Sequence, residues 1–222
     1  MAVKTYKKVE KKQLTKNLNL SEIHCHGKGC CNKTLFDTDL AKKFQKMRDV
    51  LGKLNVESGY RCEYHNSLPS VGGAKGSGHC KGMALDITHS QKSKMQLAIL
   101  AELIGVTRIG IYDSKARMVH IGTGTKCHWH NTGNYLPTSH SWLGGEWKKP
   151  KLSVTPKSDK KYVRWVQAWL YVRGYKGKNG KALTIDGKWG SNTQFAVDKF
   201  RTDNGWKKAK YLKAKALKKL CA

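Results

Sequence analysis

The 222-residue sequence is short of acid, short of arginine and without a long apolar run. No stretch approaches the ~20 apolar residues of a helical membrane span, so none is expected. The segment from Met1 to Lys16 is rich in lysine but lacks the apolar core of a secretory signal. The chain is therefore expected to be made in the cytoplasm without a classical signal peptide. No helix-turn-helix, finger or RNA-binding signature is present. Acids number 15 against 43 lysines and arginines, of which 7 are arginine, and the formal net charge is +28. Such a charge suits a polyanionic partner. The charge is spread, net +13 over residues 159–222 and +15 over 1–158. Nucleic acid thus stays an alternative reading, carried by charge alone.

Seven cysteines is an odd number, so at least one has no disulfide partner within the chain. His24-Cys25-His26 followed by Cys30-Cys31 has the composition of a metal-ligand cluster; disulfides and free thiols are the alternatives. The apolar share of 39% suffices for soluble cores, and the length allows one large domain or two small ones.

One stretch carries the chemistry. Ser77-Gly78-His79-Cys80-Lys81-Gly82-Met83-Ala84-Leu85-Asp86-Ile87 sets a histidine and an aspartate seven residues apart, and a later apolar strand holds His120. Two imidazoles and one carboxylate make a three-ligand zinc site with a fourth position left for water. Ala84 to Ile87 and Arg117 to Ile121 read as short buried strands. Three ligands on neighbouring strands would be rigid. Cys80 is expected to point away along its strand and is left out of the ligand set.

The periodicity predicts a helix over Thr38–Leu51 capped by Asp37 or Thr38, and another over Ser90–Ile104 capped by Ser90. A strand is predicted at Leu54–Glu57. The reading is α+β: a small, mostly antiparallel sheet with packed helices, followed by a three-helix C-terminal domain. The boundaries are a basic, poorly ordered arm at 1–17, a first domain at 18–145, a linker at 146–158 and a second domain at 159–222. Helices of that last domain are expected near 162–171, 193–202 and 209–220, with Thr193 as a cap.

Ser58-Gly59-Tyr60-Arg61, Asn66, Val71-Gly72-Gly73, Ser77 to Ile87 and His120 together resemble the zinc D-alanyl-D-alanine carboxypeptidases. That family includes L-alanyl-D-glutamate endopeptidases, and the Hedgehog signalling domain shares its fold. The resemblance spans roughly residues 18 to 125. It implies Zn2+ held by His79, Asp86 and His120, Arg61 steadying substrate and the developing oxyanion, and Ser77 contacting substrate. Many relatives place an acid or histidine three residues before the last ligand, where this chain has Arg117, which cannot act as a base. Asp113 is the nearest acid and the expected base, with His128 and His130 in reserve.

Val163, Gln167, Leu170, Asp186-Gly187, Trp189-Gly190, Thr193, Ala196-Val197 and Phe200 resemble the three-helix peptidoglycan-binding domain of wall hydrolases. That resemblance offers Trp189 and Trp206 as wall-binding residues, with core packing as the other use of both rings. Together the two modules imply a monomeric phage or prophage endolysin. It would cut a stem-peptide or cross-link amide of peptidoglycan after release, with teichoic acid as a further partner for its charge. A non-catalytic, metal-containing wall binder is the other alternative.

Overall fold

The computed structural model describes residues 2–112, 117–130, 135–136 and 141–222. It divides into two compact units, Met1–Thr138 and Ser139–Ala222.

The first unit opens with β1 (Val3–Lys7), β2 (Gln13–Thr15), β3 (Leu18–Asn19) and β4 (Lys33–Asp37). β1 pairs antiparallel with β4, and β2 with β3. The segment 1–17, expected to be a poorly ordered arm, instead contributes the paired strands β1 and β2. Its lysines stay in solvent while Tyr6 is buried, so the charge does not oppose pairing. A capping box between Asn19 and Glu22 closes a 3-10 turn at Leu20–Glu22.

α1 (Thr38–Leu51) follows and buries Leu40, Phe44 and Met47. Its cap is Asp37, fully buried, whose carboxylate accepts from the Asp39 N–H at 2.9 Å and the Thr123 hydroxyl at 2.6 Å.

The remaining elements of this unit are β5 (Asn55–Ser58), α2 (Glu63–Ser67), β6 (Ala84–Thr88), α3 (Lys94–Leu103), β7 (Arg108–Ile111), β8 (Val119–Gly122), β9 (Cys127–His130) and β10 (Tyr135–Leu136). The six strands form one sheet in the order β10-β9-β7-β8-β6-β5. All its pairs are antiparallel except β7 with β9, which is parallel. The fold of this unit is α+β, as the sequence pattern implies.

Side chains alternate strictly across the middle strands. Leu85, Ile87, Ile109, Ile111, Val119 and Ile121 share one parity and are buried, and α3 packs against β7 and β8. Asp86, Gly110 and His120 share the other.

α3 starts at Ser93, not Ser90. Ser93 and Gln96 form its capping box. Residues before it are committed elsewhere: His89 Nδ1 accepts from the N–H groups of Gln91 and Lys92 at 2.9 and 3.1 Å. The ring's other nitrogen then donates to the Leu51 carbonyl at 3.0 Å. A backbone wrapped around an imidazole cannot also open a helix.

The second unit holds β11 (Ser153–Val154), α4 (Lys160–Arg173), α5 (Ser191–Asp203), β12 (Leu212–Lys213) and α6 (Ala214–Cys221). β11 pairs with β12, and Val154 is fully buried. The 146–158 stretch expected as a linker therefore contributes to this unit's sheet and core.

Gln167 of α4 is 1% exposed and organises the loop before α5. Its amide nitrogen donates to Asp186 Oδ1 at 2.9 Å, the Lys188 carbonyl at 3.0 Å and Thr193 Oγ1 at 3.0 Å. Its oxygen accepts from the Gly187 N–H at 2.8 Å. Thr193 does not cap α5, which begins at Ser191 after Gly190 without a side-chain cap. Its hydroxyl is spent on Gln167 and the Lys188 carbonyl.

Replacing Gln167 by alanine strands several buried polar groups, each worth about 1–3 kcal/mol when left unpaired. Urea unfolding of Gln167→Ala, followed by tryptophan fluorescence, is expected to show that order of loss in the second unit. An unchanged midpoint would remove Gln167 from this role.

Candidate metal centre

The site begins with register. β6 and β8 pair so that Asp86 lies directly opposite His120. Residues directly opposite in an antiparallel pair project on the same face with Cβ atoms about 5 Å apart. The row continues outward: Ser58 sits opposite Asp86, Gly110 opposite His120, and Trp129 opposite Gly110.

Gly110 is what lets the row close over. A Cβ there would fall inside the Trp129 indole. Without it the indole lies across the strand and packs on His120, ring centroids 4.8 Å apart.

His79 reaches the same place from a turn before β6, not from a strand. The expectation of three ligands on neighbouring strands therefore holds for Asp86 and His120 only. Cys80 lies in that turn too, buried, and outside the donor group. Ser77 holds the turn, its hydroxyl accepting from the His79 N–H at 3.3 Å.

The His79 ring is fixed by the Gly59 carbonyl, 2.7 Å from Nδ1. A carbonyl only accepts, so Nδ1 carries a proton and Nε2 is the nitrogen left to ligate. That Nε2 faces Asp86 Oδ2 at 3.3 Å and His120 Nδ1 at 3.3 Å. His120 Nδ1 is 3.0 Å from Asp86 Oδ1. All three residues are buried.

Burial would raise the Asp86 carboxyl, but the His120 and His79 rings beside it hold it well below the usual carboxylate range. Burial lowers the His120 imidazole, outweighing the pull of Asp86 in the other direction. A carboxylate and unprotonated ring nitrogens are the forms in which such groups ligate a metal.

The donors fit zinc on geometry. Tetrahedral bonds of about 2.0–2.1 Å place neighbouring donor atoms about 3.3 Å apart. The three donor separations here are 3.3, 3.3 and 3.0 Å. Convergent lone pairs at this spacing, away from water, ask for a cation between them. His79, Asp86 and His120 could therefore hold one metal ion.

The other sequence-predicted residues fall as follows. The Arg61 N–H donates to the His79 carbonyl at 3.3 Å, which brings its backbone to the metal-ligand turn. Its Nε is buried with no hydrogen-bond partner among the described residues. Asp113 lies within 113–116, outside the described residues. Arg117 is exposed and left-handed at φ 64°.

His128 and His130 share the parity of Ile109 and Ile111, their partners on β7. Strand alternation turns both to the face opposite Trp129, away from the metal row. Neither reserve base is placed to serve the site.

Gly59, Gly110 and Trp129 complete the site and were not predicted. Gly59 stood in the Ser58–Arg61 motif without an assigned partner. Trp129 and Gly110 could be joined only once the parallel pairing of β7 with β9 was known.

Asp86 and His120 in strand register, joined by His79 from its turn, thus form a buried donor set for one metal ion. Residues 13–122 match the family model described as Peptidase M15, so this segment is similar to that family of metallopeptidases. Peptidases of the family are zinc-dependent, in agreement with the donor set here. No curated protein and no solved structure matches the chain.

Two variants test the site. His120→Ala is expected to cost about 10-fold or more in zinc affinity, read by competition with a chromophoric chelator. Gly110→Ala is expected to displace the indole from His120 and destabilise the unit by about 1–3 kcal/mol. A Gly110→Ala chain with unaltered stability and Trp129 fluorescence would contradict this packing.

Proposed function

We propose that the chain is a zinc peptidase that hydrolyses a stem-peptide or cross-link amide of bacterial peptidoglycan, acting as an endolysin of phage or prophage type. The observation that carries this reading is the in-register Asp86–His120 pair joined by His79, within a segment that matches a peptidase family.

Bound by those three side chains, zinc supplies a Lewis acid that polarises a carbonyl and acidifies water. The chain's own residues do the rest. The Gly59 carbonyl holds the His79 tautomer, and Asp86 keeps a full negative charge against the two rings. Arg61, adjoining the His79 turn with an unpartnered buried Nε, is the group to receive a substrate oxygen on which charge grows. Ser77 orders the turn and, in this reading, meets substrate at its edge. Asp113 is the general base.

The second unit is the wall anchor. Trp189 is half-buried and its indole N–H donates to Gln194 Oε1 at 2.9 Å. Trp206 is half-buried and packs edge-on to Phe200 at 6.0 Å. Each ring thus serves the core with one part and leaves another in solvent for a sugar face. The net charge of +28 favours retention on phosphate-rich teichoic acid. Among the described residues no helix is long and apolar enough to cross a membrane. The protein acts as a monomer on the wall after release from the cytoplasm in which it is made.

Mass spectrometry of fragments released from purified Gram-positive walls by the zinc-loaded chain tests this. The expected result is new termini at one type of peptide bond. Asp113→Asn is expected to lower turnover by about 100-fold or more with zinc content unchanged. Binding to walls without release of any fragment would favour the non-catalytic reading. Full turnover by Asp113→Asn would remove that residue as the base. Trp189→Ala and Trp206→Ala are expected to weaken wall retention while leaving hydrolysis of soluble fragments intact.

A further inference from the structure

A second group of metal-ligating side chains lies outside the site described above. Cys25, Cys30, Cys31 and Cys62 bring their sulfurs together within 4.8 Å of one another. Three of them stood out in the sequence as a cluster. Cys62, 37 residues beyond Cys25, did not, and the fold delivers it.

We propose that these four cysteines bind a single structural zinc ion. A tetrahedral tetrathiolate with zinc–sulfur bonds of about 2.3 Å sets neighbouring sulfurs about 3.8 Å apart. The spacings are 3.4 Å for Cys25–Cys30, 3.9 Å for Cys25–Cys62 and 3.8 Å for Cys30–Cys31. No pair is singled out for a covalent bond, and all four are free thiols.

Backbone N–H groups point at the sulfurs. The Cys62 N–H reaches Cys25 Sγ at 3.5 Å, and the His65 N–H reaches Cys62 Sγ at 3.4 Å. His65 Nδ1 lies 3.2 Å from Cys25 Sγ. Tyr60 and Leu35 pack around the cluster, with Cys25 and Cys62 buried and Cys30 and Cys31 half-buried. Four thiolates on a divalent ion carry net negative charge, and Lys8 Nζ sits on the Gly27 carbonyl of the same loop at 2.9 Å. Soft sulfur ligands in tetrahedral array select zinc over harder ions. Four protein ligands leave no position for water or substrate, so the role is structural.

The location gives that role a purpose. Cys62 follows Arg61 directly. The peptide unit between Gly59 and Tyr60 is shared by both centres: its carbonyl accepts from His79 Nδ1 at 2.7 Å, and its N–H donates to the Ile23 carbonyl at 2.7 Å, two residues before Cys25. A Cβ on Gly59 would collide with the Ile23 backbone, so only glycine allows this approach. The tetrathiolate ion pins the Cys25–Cys31 loop to the Arg61-Cys62 turn, and through that peptide holds the His79 ring.

The test counts metal in full-length chain purified with zinc under non-reducing conditions. Wild type is expected to hold one zinc at His79, Asp86 and His120 and a second at the cysteines. His79→Ala is expected to keep the second alone. Loaded with cobalt, that variant should show intense near-ultraviolet sulfur-to-metal charge-transfer bands, absent from Cys62→Ser. Should Cys62→Ser fail to fold, His79→Ala still decides. A folded His79→Ala chain that binds no metal, or whose intact mass shows these cysteines paired as disulfides, overturns the proposal. Neither outcome bears on whether His79, Asp86 and His120 support hydrolysis, which the wall-fragment assay reads separately.

Discussion

The pairing register of β6 on β8 is the constraint on which the rest of the first unit depends. Because side chains alternate with a period of two, a slip of one residue would carry Asp86 or His120 to the apolar face. It would also drive Leu85 or Ile121 into the polar row. The apolar parity of six buried branched residues therefore fixes the chemistry of the opposite face. Burial of one side of a sheet of this kind is strongly favourable, at roughly 25 cal/mol per Å² of apolar surface. That energy, rather than any attraction among the ligands, holds two acceptor-rich groups face to face in a dry place.

The same division of labour recurs in the second unit. Gln167 holds its loop through four hydrogen bonds, none of them to a charged group other than Asp186. Burial pushes the Asp186 carboxyl up, but the Lys188 N–H and the Gln167 amide bring it below its ordinary value. The motif Gln, Asp-Gly, Trp-Gly, Thr reads in sequence as a string of turn residues. In space it is one amide and the groups that satisfy it.

Sequence alone reached the ligand trio because a His and an Asp so close together, amid small residues and followed by an apolar strand that ends near a second His, suit little besides a metal site. It reached α1 because Leu40, Phe44, Met47 and Leu51 keep helical spacing and Asp37 stands where a cap should. It missed where contacts are non-local. His89 delays α3 by capturing two N–H groups, which no propensity reveals. The parity of His128 and His130 depends on a parallel pairing set by the fold. β1 looked like a charged tail because lysine count hid the single buried tyrosine. Cys62 joins Cys25 across 37 residues, a distance at which spacing carries no signal.

One consequence of the Gly59–Tyr60 peptide concerns how the molecule can be watched in solution. Its amide proton is held by Ile23, while its carbonyl is held by the ring of His79, and polarisation at one end of an amide strengthens the bond at the other. Release of that proton to solvent needs the strand end and the cysteine-bearing loop to part. The deuterium uptake of a single backbone position, Tyr60, thereby reports on the integrity of both neighbourhoods at once, with no probe attached and no substrate added.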